Sequence, residues 1–516
     1  MMDQYTLGAE DRACLKDLQT TNPRDDKSRI EATKGGLLKD SYAWALGDER
    51  FQEWHRREKG GGILWVRGDP GKGKTMLLCG IIDELSAMKQ GSMSYFFCQA
   101  TDTRLNCATA VLRGLIYMLI DQEPSLISHV RQRYDESGKQ LFENPNAWHA
   151  LSAIFVEMLG HIDDPCLIID ALDECTADLS SLLDLIVQVS STHPHVKWVI
   201  SSRNWPEIKE KMIMIPKKKR ITLEINESSV SEAVKIFIYD RVQQLAKLKK
   251  YSQQIFDAVH SYLLSNAQGT FLWVALVCEK LAGISRMRTI EKLTAFPPGL
   301  DALYGRMMQQ VCEHEEALLC KDILGLVAIT HRPITIHELT TFVDVPEQAL
   351  EDGYESLKEI VGYCGSFLTI SGNIILFVHQ SAKDYLLEKA NLDILPSGLV
   401  GKNIFILEKS LDIMDKKLRR DMLTTENTHR GIEPVHGKVL PFDPLSTFRY
   451  SCVYWIDHLL SCNQGTAIRD YFNHGGLVDQ FLSNKFLFWL EALSHLRSVS
   501  KGLEDMLKLE TLAKAS

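Results

Sequence analysis

Residues 68–75 read Gly-Asp-Pro-Gly-Lys-Gly-Lys-Thr, which fits the spacing G-x-x-x-x-G-K-[ST] at every position. These residue types bind anions. The glycines let successive backbone N–H groups turn inward around a polyphosphate. A helix that follows adds its unpaired N-terminal N–H groups and the positive end of its dipole. Lys74 reaches the terminal phosphates, and the Thr75 hydroxyl is placed to hold Mg2+. The expected nucleotide-binding set is Gly68, Asp69, Pro70, Gly71, Lys72, Gly73, Lys74 and Thr75. The competing reading is a Gly-rich turn that matches by accident. It weakens if a second site of matching chemistry exists.

That second site is Cys166-Leu-Ile-Ile-Asp170-Ala-Leu-Asp173-Glu174. An apolar strand ending in an acid places a carboxylate at the carboxyl end of a sheet, where α/β folds bind ligands. Asp170 is expected to hold Mg2+ opposite Thr75. Asp173 or Glu174, one short turn on, is expected to orient and deprotonate an attacking water. Alone, the pattern also fits a strand end before a helix N-terminus that favours acids. A third run, Trp198-Val-Ile-Ser201-Ser202-Arg203, ends a second apolar strand in two hydroxyls and an arginine. Arg203 is placed there to contact a γ-phosphate, the alternative being a surface arginine.

The elements that must position these residues are legible as an alternation. Strands are expected at Ile63–Arg67, Ser94–Cys98, Cys166–Ile169, Lys197–Ser201 and Ile221–Ile225. Helices lie between and around them, at Met76–Met88, Ala108–Ile120, Trp148–Leu159 and Leu179–Val189. Such alternation predicts a parallel sheet with helices on both faces. Ahead of it, Ser41–Trp54 has the spacing of one helix. Beyond Ile225 the signals are helical, including Val230–Leu245 and Phe271–Leu281, until Pro297-Pro298-Gly299 punctuates the chain. A helix Ala302–Val311, a capping box at Thr335–Glu338, and a hairpin of Phe367–Ile370 with Ile374–His379 suggest a winged-helix unit. Residues 400–516 read as helical, with a polar stretch near Thr424–Gly437. The expected domains are a helical lead-in (1–60), an α/β P-loop NTPase domain (61–226), a helical domain (227–298), a winged-helix domain (299–392) and a C-terminal helical region (393–516).

Composition sets the outer limits. A chain of 516 residues exceeds one compact core. A net charge of −9 gives no basic field, so nucleic acid is not an expected partner. Met1–Arg12 has no apolar core and predicts no secretory signal. Gly269–Ile284 is interrupted by Glu279 and Lys280 and predicts no membrane span. The twelve cysteines are scattered without a C-x-x-C pair. Cys79, Cys98, Cys166 and Cys278 fall inside apolar elements. A reducing, cytoplasmic setting follows. Lys217–Arg220 reads as a solvated loop before the last strand, with a nuclear address as the alternative. Phe271, Leu272, Trp273 and Leu276 read as helix core rather than a ligand box, and His379 as a histidine at a strand end.

The order of phosphate loop, acid-rich strand, strand-end arginine, helices and winged helix resembles the NACHT-domain members of the STAND signal-transduction ATPases. It is most similar to the fungal heterokaryon-incompatibility type, relatives of NLR receptors. The likeness is carried by Gly68–Thr75, Leu167–Cys175, Ile200–Arg203, Pro297–Arg306 and Phe377–Leu386, and spans residues 14–500. It implies a closed ADP-bound form, opening on exchange for ATP, self-assembly, slow hydrolysis and activation of an effector. It also implies that a winged-helix histidine, here His379, holds the β-phosphate of ADP. Gln380 stands where an aspartate is often found. Members usually carry an effector domain before this module and repeats after it. Their absence from this sequence is read as a short member, a truncated one or a partner for an effector in trans. The resulting reading is an ATP- or GTP-hydrolysing switch. A P-loop phosphotransferase and a nucleotide-stabilised interaction module are the rivals.

Overall fold

Five short apolar runs become strands: β1 Gly62–Arg67, β2 Met93–Phe97, β3 Cys166–Asp170, β4 Lys197–Ser202 and β5 Lys218–Thr222. The computed structural model describes residues 7–56, 62–88, 91–102, 104–144, 146–215, 218–223, 226–344, 354–420, 444–462, 471, 473, 475–496 and 498–515. All five strands pair in parallel, in the order β2-β3-β4-β1-β5. Crossover helices cover the sheet, so consecutive residues Ile63–Val66 and Leu167–Ile169 are all buried. The order decides the site, because β4 lies between β1 and β3. The end of β4 therefore falls between the phosphate loop and the acid-rich strand end.

Two expectations change. Residues Ser41–Trp54 form two helices, Lys39–Gly47 and Glu49–His55. Asp48 breaks the run: its backbone is extended, and its carboxylate accepts the Arg50 N–H as the second helix's cap. The basic run is not a loop, since Lys218, Lys219 and Arg220 lie within β5. Among the described residues that strand pairs with β1 alone, and an edge strand tolerates lysines whose heads find partners at the rim. Lys219 pairs with Glu53, and the Lys218 ammonium donates to the Met212 carbonyl. Lys217, the last two residues of the expected strand Ile221–Ile225 and the Thr424–Gly437 stretch lie outside the described residues.

The sheet belongs to the first of two units, Met1–Arg306 and Met307–Ser516. After β5 this unit continues in helices Glu227–Lys249, Gln253–Asn266 and Phe271–Gly283. The Pro297–Gly299 turn is tied back onto them. Trp273 Nε1 donates to the Pro297 carbonyl at 2.9 Å, and Tyr262 donates to the Phe296 carbonyl at 2.7 Å. The helix Leu300–Cys312 runs across the division at Arg306.

In the second unit, helices Ala317–Ile329, Ile336–Phe342 and Glu355–Tyr363 precede the antiparallel pair β6 Leu368–Ser371 and β7 Ile374–Phe377. The helix Gln380–Glu388 follows. The capping box forms: the Thr335 hydroxyl accepts the Glu338 N–H at 3.1 Å, and the Glu338 carboxylate accepts the Thr335 N–H at 2.9 Å. Glu338 does more than cap. It is buried, accepts both terminal nitrogens of Arg332, and accepts the Tyr450 N–H at 3.0 Å. One carboxylate thus joins the winged-helix elements to the C-terminal helices, whose core includes Trp455, Phe481 and Trp489.

Replacing Glu338 by alanine strands the Arg332 guanidinium and the Tyr450 N–H. The expected cost is about 3 kcal/mol. The check is the unfolding midpoint in urea, followed by tryptophan fluorescence. An unchanged midpoint would refute the account of this joint.

Candidate nucleotide-binding site

The phosphate loop leaves β1 and enters the helix Lys74–Met88. Gly71 (φ +76°) and Gly73 (φ +86°) are left-handed, a conformation that side-chain-bearing residues avoid. Both are also crowded from outside. A Cβ on Gly73 would stand 2.9 Å from the Phe271 ring, and one on Gly71 would stand 2.8 Å from the Thr270 methyl. Lys72 donates to the Gln268 carbonyl at 2.8 Å. The segment Gln268–Leu272 therefore roofs the loop. Trp273 and Leu276 are core as expected, whereas Phe271 and Leu272 lie against the loop.

The Lys74 ammonium curls back over its own loop, donating to the Gly68 carbonyl at 2.6 Å and the Asp69 carbonyl at 3.1 Å. Burial lowers its pKa. The nearby carboxylates of Asp173 and Asp170 oppose that shift, with a smaller contribution from Glu174. Lys74 thus sits within the field of all three acids predicted from sequence.

The acids are arranged by the end of β3. Asp170 is its last residue and is buried. Ala171 then turns left-handed (φ 52°), and Leu172–Glu174 form a single 3₁₀ turn. Burial raises the Asp170 pKa, opposed by the hydrogen bond from the Ser201 hydroxyl and, less strongly, by the nearby Lys34, Thr75 and Lys74 side chains. The two motifs require Thr75 and Asp170 to lie near one another, as they do. A hydroxyl and a carboxylate are hard oxygens suited to Mg2+, which takes one or two protein ligands and completes its shell with phosphate and water. Among the described residues, no cluster of three or more His, Cys, Asp or Glu offers an all-protein metal cage.

Asp173 and Glu174 have different surroundings. Asp173 is buried and accepts the Arg203 N–H at 2.9 Å, and its other oxygen lies 3.1 Å from Arg203 Nε. Glu174 accepts the Ala100 N–H at 3.1 Å, from the loop after β2. Burial first, then the Asp173 carboxylate, raises the Glu174 pKa to about 7. Two contributors were not foreseen from sequence. Ser201 bonds Asp170 across strands, and Ala100 steadies Glu174. Only the apolar strand ending in Ser201-Ser202 hinted at the first.

His379 belongs to the second unit and caps the helix Gln380–Glu388 rather than ending a strand. Its Nδ1 accepts the Ser381 N–H at 3.1 Å.

A phosphate loop on a five-stranded parallel sheet, an acid-ended strand one position away across β4 and a winged-helix unit define a P-loop NTPase of the NACHT, NLR-like class. Residues 40–203 match the family model described as Nephrocystin 3, N-terminal. Residues 305–394 match that of the GPI inositol-deacylase winged helix domain. The vegetative incompatibility protein HET-E-1 of Podospora anserina is 48% identical over 525 residues, covering 98% of this chain. The chain spans 38% of that relative's length. Among solved structures, a Walker-type ATPase of Pyrococcus abyssi aligns with TM-score 0.32 and 10% identity over 66% of this chain and 93% of its own. The ORC2 protein of Aeropyrum pernix aligns with TM-score 0.33 and 12% identity over 69% and 94%. Scores of this size say nothing about the site. No helix among the described residues is long and apolar enough to cross a membrane.

Gly73→Ala adds left-handed strain and a clash with Phe271, together about 2 kcal/mol. The expected result is a roughly tenfold or greater loss of nucleoside diphosphate affinity in equilibrium binding. Unchanged affinity would show that the loop does not need this conformation.

Proposed function

We propose that this chain is a nucleotide-operated switch that binds ATP or GTP with Mg2+ and hydrolyses it slowly. In this reading it is closed with the diphosphate and self-assembles with the triphosphate. Its setting is signalling of the vegetative-incompatibility or innate-immune-like kind, with an effector as partner, in the cytoplasm. The observation that carries the reading is Thr75 lying close enough to Asp170 to favour its ionised form, with the Lys74 ammonium among the same acids. Lys74 and the loop amides neutralise phosphate charge. Thr75 and Asp170 would hold Mg2+, which supplies further charge neutralisation when bound. Working domains are taken as 1–60, 61–226, 227–298, 299–392 and 393–516.

The two candidate bases separate by environment. Asp173 is committed to Arg203, so its part is to aim that guanidinium at the γ-phosphate. Glu174 is the general base, because a carboxyl with a pKa of about 7 takes a proton near neutral pH with little penalty. A base acts only when ionised. The rate therefore rises with pH below about 7, roughly tenfold per unit, and flattens above it.

The test is phosphate release from ATP without any added acceptor. Glu174→Gln is expected to slow it about 100-fold or more and to erase the pH dependence, while ATP still binds. Turnover at the unmutated rate would remove Glu174 from the role. Phosphate release that requires an acceptor would favour a phosphotransferase, and bound ADP without turnover would favour a non-catalytic module. His379 is assigned to the ADP β-phosphate in the closed form. His379→Leu should release ADP faster, by about tenfold for one lost charge-assisted hydrogen bond. An unaltered off-rate in stopped flow would end that assignment.

A further inference from the structure

We propose that Ser201 is the positioning residue that sets the Asp170 carboxylate for a divalent cation. The inference rests on the nucleotide-site reading above. It starts where the backbone ladder between β3 and β4 stops. Their register pairs Cys166 with Lys197 and ends at Ile169 with Ile200. The next rung, at Asp170 and Ser201, is made by a side chain. The Ala171 N–H donates to Ser201 Oγ at 2.8 Å, and Ser201 Oγ donates to Asp170 Oδ1 at 2.5 Å. Ser201 is fully enclosed at 0% exposure and Asp170 is at 2%, so water does not compete for either.

The direction of the serine proton follows from its partners. A hydroxyl has one hydrogen and two lone pairs. A backbone N–H can only donate, so Ala171 occupies a lone pair and the serine hydrogen is left for the carboxylate. The chain N–H to O–H to carboxylate is polarised one way, and each bond strengthens the next. Its first donor is held by the left-handed turn at Ala171, a conformation costly for a residue with a Cβ.

The neighbouring hydroxyl has another task. Ser202 Oγ accepts the Trp65 indole N–H at 2.8 Å and donates to the Arg203 carbonyl at 2.9 Å, binding β4 to β1. Arg203 takes Asp173. The three residues at the end of β4 thus divide the work: Ser201 fixes the metal acid, Ser202 fixes the strand, and Arg203 pairs with the other acid. Thr75 also lies near Asp170, yet its hydroxyl is itself a candidate metal ligand. Ser201 is the hydroxyl that stays on the carboxylate when Thr75 turns to a cation. Pinning one oxygen orients the other.

The test measures metal affinity directly. The full chain, saturated with ADP, is titrated with Mn2+, and free Mn2+ is read by its paramagnetic resonance signal. Ser201→Ala is expected to weaken Mn2+ about 10-fold or more, as loss of a group that orients a ligand does. Its ADP affinity in EDTA should be unchanged. Ser201→Thr, which keeps the hydroxyl, should restore Mn2+ affinity. Should the alanine variant not fold, Ser201→Cys gives a weaker donor of similar volume and the same expected loss. Asp170→Asn is the reference. If it weakens Mn2+ while Ser201→Ala and Ser201→Cys do not, the role of Ser201 is refuted and Asp170 keeps its own. If Asp170→Asn leaves Mn2+ affinity unchanged, the metal-site reading fails and the serine inference falls with it.

Discussion

Removing an ammonium, a guanidinium and three carboxyl groups from water at one sheet edge is costly unless each finds a partner. The strand order provides the partners. With β4 between β1 and β3, the loop carrying Lys74 meets carboxylates from β3, and the end of β4 supplies Ser201 and Arg203 between them. Lys74 rests on two carbonyls of its own loop, Asp173 on Arg203, and Asp170 on the Ser201 hydroxyl. Glu174 has the weakest compensation and reaches a pKa of about 7. A polyphosphate would add negative charge beside these carboxylates, which is why the proposed reading pairs it with a divalent cation.

Contiguous features were legible in the sequence, and features assembled across strands were not. The phosphate loop and the Thr335–Glu338 capping box are local, so their residue types and spacing suffice. The five strands and most helices follow from apolar periodicity. Asp48 was harder, because one cap within an unbroken apolar pattern decides between one helix and two. The basic run misleads because charge suggests a loop, whereas an edge strand offers lysines partners such as Glu53. Ser201 could be seen as a hydroxyl at a strand end, but its bond to Asp170 depends on β3 and β4 being neighbours. The second task of Glu338 depends on Tyr450, more than a hundred positions away.

The roof over the loop connects the site to the rest of its unit. Phe271 opens the helix Phe271–Gly283, its ring sits edge-on to Phe237 of the helix Glu227–Lys249, and a Cβ on Gly73 would strike the same ring. Lys72 reaches the Gln268 carbonyl just before that helix, and a Cβ on Gly71 would also meet Leu300 from beyond the Pro297–Gly299 turn. A Cβ at either glycine would press on these atoms, and a packed interior does not yield continuously. Glycine at 71 and 73 thus serves two ends: it permits the left-handed turn, and it leaves room for the roof to lie over the loop.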